Sequence, residues 1–255
     1  MDAFLQYLEA SPAYRGRLLI SQPPKDVVLA WARMGQTLEL AGVTIVSEIG
    51  QSAPANAAHL KALSDALSAK GVKVLSVQYA RDLSKFIVDG NEMSAPDAAV
   101  AIGTELRIKL GANAAKKPND PGQVSDPFHV WSRDVFDGIA VRKTDIDAFV
   151  FDAGGTRAGT MLEIKRSNRV AVGSWRPYAA DYFNYVIQLK LCELLGCDFV
   201  TVHHDRVGAE VFGDNMTFDH FGFVAGGLVD DSSFSTLAAE SNRKNYQGKD
   251  VAILF

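Results

Sequence analysis

Three things are scarce in this chain, and each scarcity removes a class of protein. Cysteine occurs only twice in 255 residues, as Cys192 and Cys197 at one expected helix end. That number and spacing supply neither a disulfide framework nor a structural zinc site, so both read as reduced, buried thiols. Long apolar runs are missing as well, since none approaches the roughly 20 residues of a membrane span. Nor does one sign of charge dominate: 26 basic against 30 acidic residues give a formal net charge of -4. This argues against a polybasic nucleic-acid coat, though not against a local basic groove. The opening "MDAFLQYLEASP" lacks the basic head, apolar stretch and cleavage site of a secretion signal. A cytoplasmic protein with no membrane partner is expected.

What is present is an ordinary globular make-up, 47% apolar and 22% charged. The length suffices for one large core or a core with an appendage. Residues 1–36 read as helical, broken at "SQPPKD" with Asp26 as a cap for the second helix. "GVTIVSEIG", "NAAHLKALSDALSAKG" and "VKVLSVQYA" read as strand, amphipathic helix and strand. Leu60, Leu63 and Leu67 share the apolar face of that helix, and Gly71 stands where a C-terminal cap belongs.

"SAPDAAVAIGTELRIKLG" predicts a helix with Pro96 in its first turn and Gly111 closing it. "ANAAKKPNDPGQVSDP" reads as a loop. "DVFDGIAVRK", "DIDAFVFD" and "TMLEIKRS" then read as strands. "DYFNYVIQLKLCELLG" follows as a helix capped by Asp181 and ended by Gly196, and "CDFVTVHHD" as a last strand. The order from about residue 95 is helix, three strands, helix, strand. The expected fold is α/β, a mixed central β-sheet flanked by helices, with an α/β N-terminal region over 1–92 and a second region over 93–255.

The segment from Thr144 to Ser167 concentrates charge inside apolar runs. Strand side chains alternate, so Glu163 and Lys165 share one face, as do Asp145 and Asp147 on the strand before. If the two strands pair as a hairpin, all four charges meet at one end of the sheet. Clustered carboxylates raise one another's pKa unless a cation compensates. Oxygen ligands of this kind suit Mg²⁺, which keeps several waters and accepts phosphate oxygens. A lysine beside such a metal orients or helps deprotonate an attacking water. The set is suited to phosphodiester hydrolysis.

"DIDAFVFD…MLEIKRS" resembles the D…(D/E)xK signature of the PD-(D/E)xK nuclease superfamily, whose core is also helix, three strands, helix, strand. The resemblance implies Asp147 and Glu163 as metal ligands and Lys165 as the catalytic lysine. It leaves Asp145 as an alternative or extra ligand and Glu105, from the first helix, as a further one. The proline of the family name is absent, since Thr144 and Ile146 precede the acids. The resemblance implies an Mg²⁺-dependent endonuclease acting on double-stranded DNA, most akin to a type II restriction endonuclease working as a homodimer. Residues 1–92 would then serve dimerisation or DNA contact, and 93–255 catalysis.

A repair or defence nuclease of the same fold, or a DNA-binding protein that does not cut, remains open at this level. So does a third reading, because "AFVFDAGGT" resembles the first motif of the haloacid dehalogenase superfamily. Asp152 would be the nucleophile and Thr156 the motif threonine, with Asp214 and Asp219 as late acids. Gly154 replaces the second motif aspartate, and two glycines equally well supply a turn.

Arg157, Lys165, Arg166, Arg169 and Arg176 oppose only Glu163 between 157 and 176, a surplus suited to a phosphate track. Trp175 and Tyr178 are interleaved with them, and Lys116 and Lys117 offer a second basic tip. Asn184 and Gln188 share a face of the following helix, with Gln188 expected near DNA. His203 and His204 point to opposite faces of their strand and read as structural.

Overall fold

Backbone pairing in the computed structural model of the chain produces two six-stranded sheets, not the single central sheet expected. The structure describes residues 3–23, 26–51, 56–116, 118, 126–166, 181–204, 211–215 and 244–245. In chain order, α1 (Ala3–Ala10) and β1 (Leu18–Ile20) lead into β2 (Val27–Met34), β3 (Leu38–Glu48), α2 (Ala57–Ala69) and β4 (Val74–Tyr79). There follow β5 (Phe86–Val88), β6 (Asn91–Met93), α3 (Ala95–Leu106), α4 (Pro127–Val135) and β7 (Val141–Ile146). The last elements are β8 (Ala148–Phe151), β9 (Ala158–Arg166), α5 (Tyr182–Leu195), β10 (Asp198–His204), β11 (Val211–Asn215) and β12 (Lys244–Asn245). The class is mixed α/β.

The chain divides into two compact units, Met1–Leu19 with Asp147–Phe255, and Ile20–Ile146. The second is one continuous segment set into the sequence of the first. Residue 92, where the sequence suggested a boundary, falls inside β6 of that segment.

In the segment Ile20–Ile146 the sheet order is β6-β5-β4-β3-β2-β7. The expected strand–helix–strand unit is β3-α2-β4, with β3 and β4 paired in parallel. Other neighbours in this sheet run antiparallel. Its core gathers aromatic rings: Phe86 and Trp131 have centroids 4.6 Å apart, and Trp31 meets Phe136 edge-on at 5.1 Å. Such offset pairs add to the area they bury.

One close approach needs a glycine. Where β2 and β3 change register, Gly42 has φ +157°, and a Cβ there would lie 2.6 Å from the Lys73 carbonyl oxygen.

Several expectations are corrected here. Residues 27–34 form a strand, not a helix, because β2 is buried over its first six residues and its apolar run serves a sheet interior. Asp26 therefore precedes a strand. The helix over 95–106 ends on Arg107, whose φ of 52° is left-handed, so Gly111 does not close it. Part of the stretch read as loop and strand is α4, opened by the Asp126 carboxylate accepting from the His129 N–H at 2.8 Å. "DIDAFVFD" is not one strand: β7 ends at Ile146 and pairs with β2, while β8 belongs to the other sheet.

Lys143 of β7 runs inward although part of its side chain stays accessible. Its ammonium donates to the His129 carbonyl at 3.1 Å and to the Ser132 hydroxyl, and lies 5.6 Å from the Trp31 ring centroid. Burial pushes it down to about 7, with Asp126 and Asp145 opposing and Arg133 adding to the fall.

The other unit has the strand order β1-β8-β9-β10-β11-β12. β8 and β9 pair antiparallel, β9 and β10 in parallel, and β10 and β11 antiparallel. α5 packs on β9 and β10, with Tyr185, Ile187 and Leu191 fully buried. Gly196 ends α5 in the left-handed conformation, as expected. Cys192 and Cys197 are free thiols.

Candidate active site

The β8–β9 hairpin determines which charges meet. Ala148 faces Leu162 and Phe149 faces Met161, so one further step in that register sets Asp147 opposite Glu163. The Asp147 carboxylate accepts the Ile164 N–H at 2.6 Å, which ties the residue before β8 to the middle of the E-x-K triplet. The hairpin turn lies at the other end. There the Asp152 carboxylate accepts from the Thr156 N–H at 2.9 Å and the Arg157 N–H at 3.3 Å, and Gly155 takes φ +66°. These backbone donors, Thr156 first, hold Asp152 below the usual carboxylate range.

Glu163 is 6% exposed, and a buried carboxylate must be paired. One of its oxygens lies 2.7 Å from the Lys165 ammonium, and the other accepts from the Gln188 amide at 2.5 Å. Lys165 also lies 3.5 Å from the Asp181 carboxylate and 5.9 Å from the Tyr185 ring centroid. Asp181, Tyr185 and Gln188 fall at i, i+4 and i+7, one face at the start of α5. That face meets β9. Burial alone would lower Lys165, but Glu163, by charge and hydrogen bond, then Asp181 and Asp147 raise it above the usual lysine value.

The structure thus brings together Asp147, Glu163, Lys165 and Gln188. Asp145 and Glu105 belong to the other compact unit. Asp145 is exposed on β7 opposite Leu29, and the Glu105 carboxylate is paired with Lys73 at 2.6 Å. Lys109, beyond the end of α3, pairs with Asp137 at 2.7 Å. Arg157 is exposed at the turn end of the hairpin, roughly 25 Å along β9 from Lys165. Arg166 ends β9 in register with His204 of β10. Arg169, Trp175, Arg176, Tyr178, Lys117 and Asp219 lie outside the described residues. Lys116 donates to Asn113 at 2.6 Å, Asn184 is half-buried, and His204 is fully buried.

Three neighbours of the site were not singled out for it by the sequence. Asp181 read only as a helix cap, yet its side chain makes no capping hydrogen bond. Tyr185 carried no reading of its own. Thr201 stands beside Glu163 in the β9–β10 register, fully buried, and its hydroxyl has no hydrogen-bond partner among the described residues. The i, i+4, i+7 spacing with Gln188 was the available signal for the first two.

Among the described residues, no group of three or more His, Cys, Asp or Glu side chains could hold a metal. Asp147 and Glu163 supply hard carboxylate oxygens. Mg²⁺ needs only one or two of these, with water or phosphate oxygen completing its shell. The donor chemistry fits such an ion, and Lys165 is paired with one of the Glu163 oxygens.

No protein-family model matches this chain, and no curated protein or solved structure does so either. Among the described residues no helix is long and apolar enough to cross a membrane.

Proposed function

We propose that the protein is an Mg²⁺-dependent endonuclease that hydrolyses DNA phosphodiester bonds, with a restriction-endonuclease-like core formed by β8, β9, α5 and β10. The observation that carries this reading is the convergence of Asp147, Glu163 and Lys165 at one end of the β8–β9 hairpin. Gln188 of α5 closes on the same carboxylate. When bound, the divalent ion supplies Lewis-acid stabilisation of charge on the phosphate. Asp147 and Glu163 would hold it. Lys165 orients the attacking water and offsets the negative charge that develops on the non-bridging oxygens. Gln188 keeps Glu163 in position. The water oxygen forms a new bond to phosphorus, the bond from phosphorus to the leaving sugar oxygen breaks, and solvent takes one proton and returns another.

The phosphatase reading loses support from Asp152, whose carboxylate is engaged by two backbone N–H groups of its own turn. A sequence-specific enzyme acting as a homodimer on double-stranded DNA is the form we favour, because one site cuts one strand. The test is incubation with plasmid and Mg²⁺, followed by sequencing of fragment ends. Defined ends are expected. Plasmid left intact under all divalent ions would overturn the reading.

A further inference from the structure

We propose that Asp181 is the carboxylate that receives the Lys165 ammonium when a divalent cation takes its place on Glu163. The inference rests on the metal-dependent nuclease reading and adds a positioning residue to it. Both Glu163 oxygens carry a donor, Lys165 at 2.7 Å on one and Gln188 at 2.5 Å on the other. The amide is neutral and can stay beside a cation. The ammonium cannot, because a dication coordinated to the same oxygen repels it strongly in a partly buried site. Lys165 must move, and a buried ammonium that moves needs another anion.

Asp181 is placed to be that anion. Its carboxylate already lies 3.5 Å from the ammonium, so a shift of about 1 Å makes a full charge-assisted hydrogen bond. It is also uncommitted to the helix it begins, since no side-chain capping bond is made at the α5 N-terminus. Its side chain is 29% exposed, so it can turn toward the ammonium without being freed from packed neighbours. Lys165 thus has two stations, one on Glu163 and one on Asp181. Tyr185 lies beneath the lysine as a ring face for the cation.

A double-mutant cycle on metal affinity separates this role from that of a direct ligand. Mn²⁺ binding to the full chain is measured by the loss of the free-ion electron paramagnetic resonance signal. The forms compared are wild type, Asp181→Asn, Lys165→Met and the double variant. Asp181→Asn is expected to weaken Mn²⁺ binding about tenfold, and by less than about twofold when Lys165 is already Met. Lys165→Met alone should bind Mn²⁺ more tightly than wild type, and Asp181→Glu should behave as wild type. Equal weakening in both backgrounds would make Asp181 a ligand or a bulk charge and overturn the proposal while leaving the nuclease reading intact. So would unchanged affinity in Asp181→Asn, or its failure to melt cooperatively, which would assign Asp181 to the fold. If the wild type binds no Mn²⁺, the nuclease reading falls and this inference with it.

Discussion

Lys165 and Asp152 lie on the same hairpin and test opposite chemistries. Lys165 stands at the carboxylate end, so Lys165→Ala should lower cleavage by about 10²–10⁴-fold while DNA retention in a gel-shift assay persists. Asp152 is bonded into a turn, so Asp152→Asn should leave cleavage within a few-fold of wild type. A phosphatase would reverse the ranking and turn over a small phosphate ester. Lys143, in the other compact unit, yields a stability prediction of its own. Its folded value of about 7 lies below the roughly 10.4 of an unfolded lysine. Between those values the unfolded chain holds a proton that the folded chain does not, so stability rises with pH through that window. Below it both states are charged and burial costs stability. Lys143→Met should therefore raise the urea midpoint at pH 6 and remove most of the gain between pH 7 and 10. His129, lowered chiefly by burial and by Lys143 itself, titrates below that window.

At the scale of elements, the hairpin of the site was largely legible and its surroundings were not. Glu163 and Lys165 could be assigned to one face because β9 alternates, and helical spacing set Gln188 on a face with Asn184, whereas Asp181 read only as a cap. β2 was misread because "VVLAWARM" is apolar without alternation, and a run buried on both sides has no period to report. The break at Asp147 was invisible, since nothing in "DIDAFVFD" marks a change of sheet: no glycine or proline interrupts it while the pairing partner changes from β2 to β9. The opening of α4 escaped because Asp126 and Pro127 serve a helix start as readily as a loop. Gly42 offers the element-scale test. Gly42→Ala should cost roughly 1–3 kcal/mol of unfolding free energy, because the added carbon meets backbone that cannot yield. Gly138→Ala, where nothing lies within 4 Å, should change stability by no more than about 0.5 kcal/mol.

For the whole molecule, the continuous run of the second unit makes a clear expectation. β2 and β7, its first and last long strands, pair with Val28 opposite Ile146, so the ends of the segment lie together. A chain of residues 20–146 should fold alone and unfold cooperatively in urea, as read by circular dichroism. Assembly is the second expectation at this scale. Duplex DNA has two strands and the chain has one Asp–Glu–Lys set, so a two-fold pair of chains suits a double-strand break. Light scattering with a cognate-length duplex should report two chains. A monomer that only nicks would remove the restriction-enzyme form of the proposal and keep the nuclease.

The way the second unit interrupts the first also bears on ancestry. β1 and β8 are neighbours in their sheet, and Arg17 exchanges bonds with Phe151, donating from its side chain at 2.9 Å and accepting on its carbonyl at 2.7 Å. Removing 20–146 therefore leaves two cut ends on adjacent strands, which a short turn could join. Asp147, Glu163, Lys165, Asp181 and Gln188 all lie beyond the cut. The intervening stretch is a cassette that recombination could gain, lose or exchange in one event, while the candidate site stays with the host.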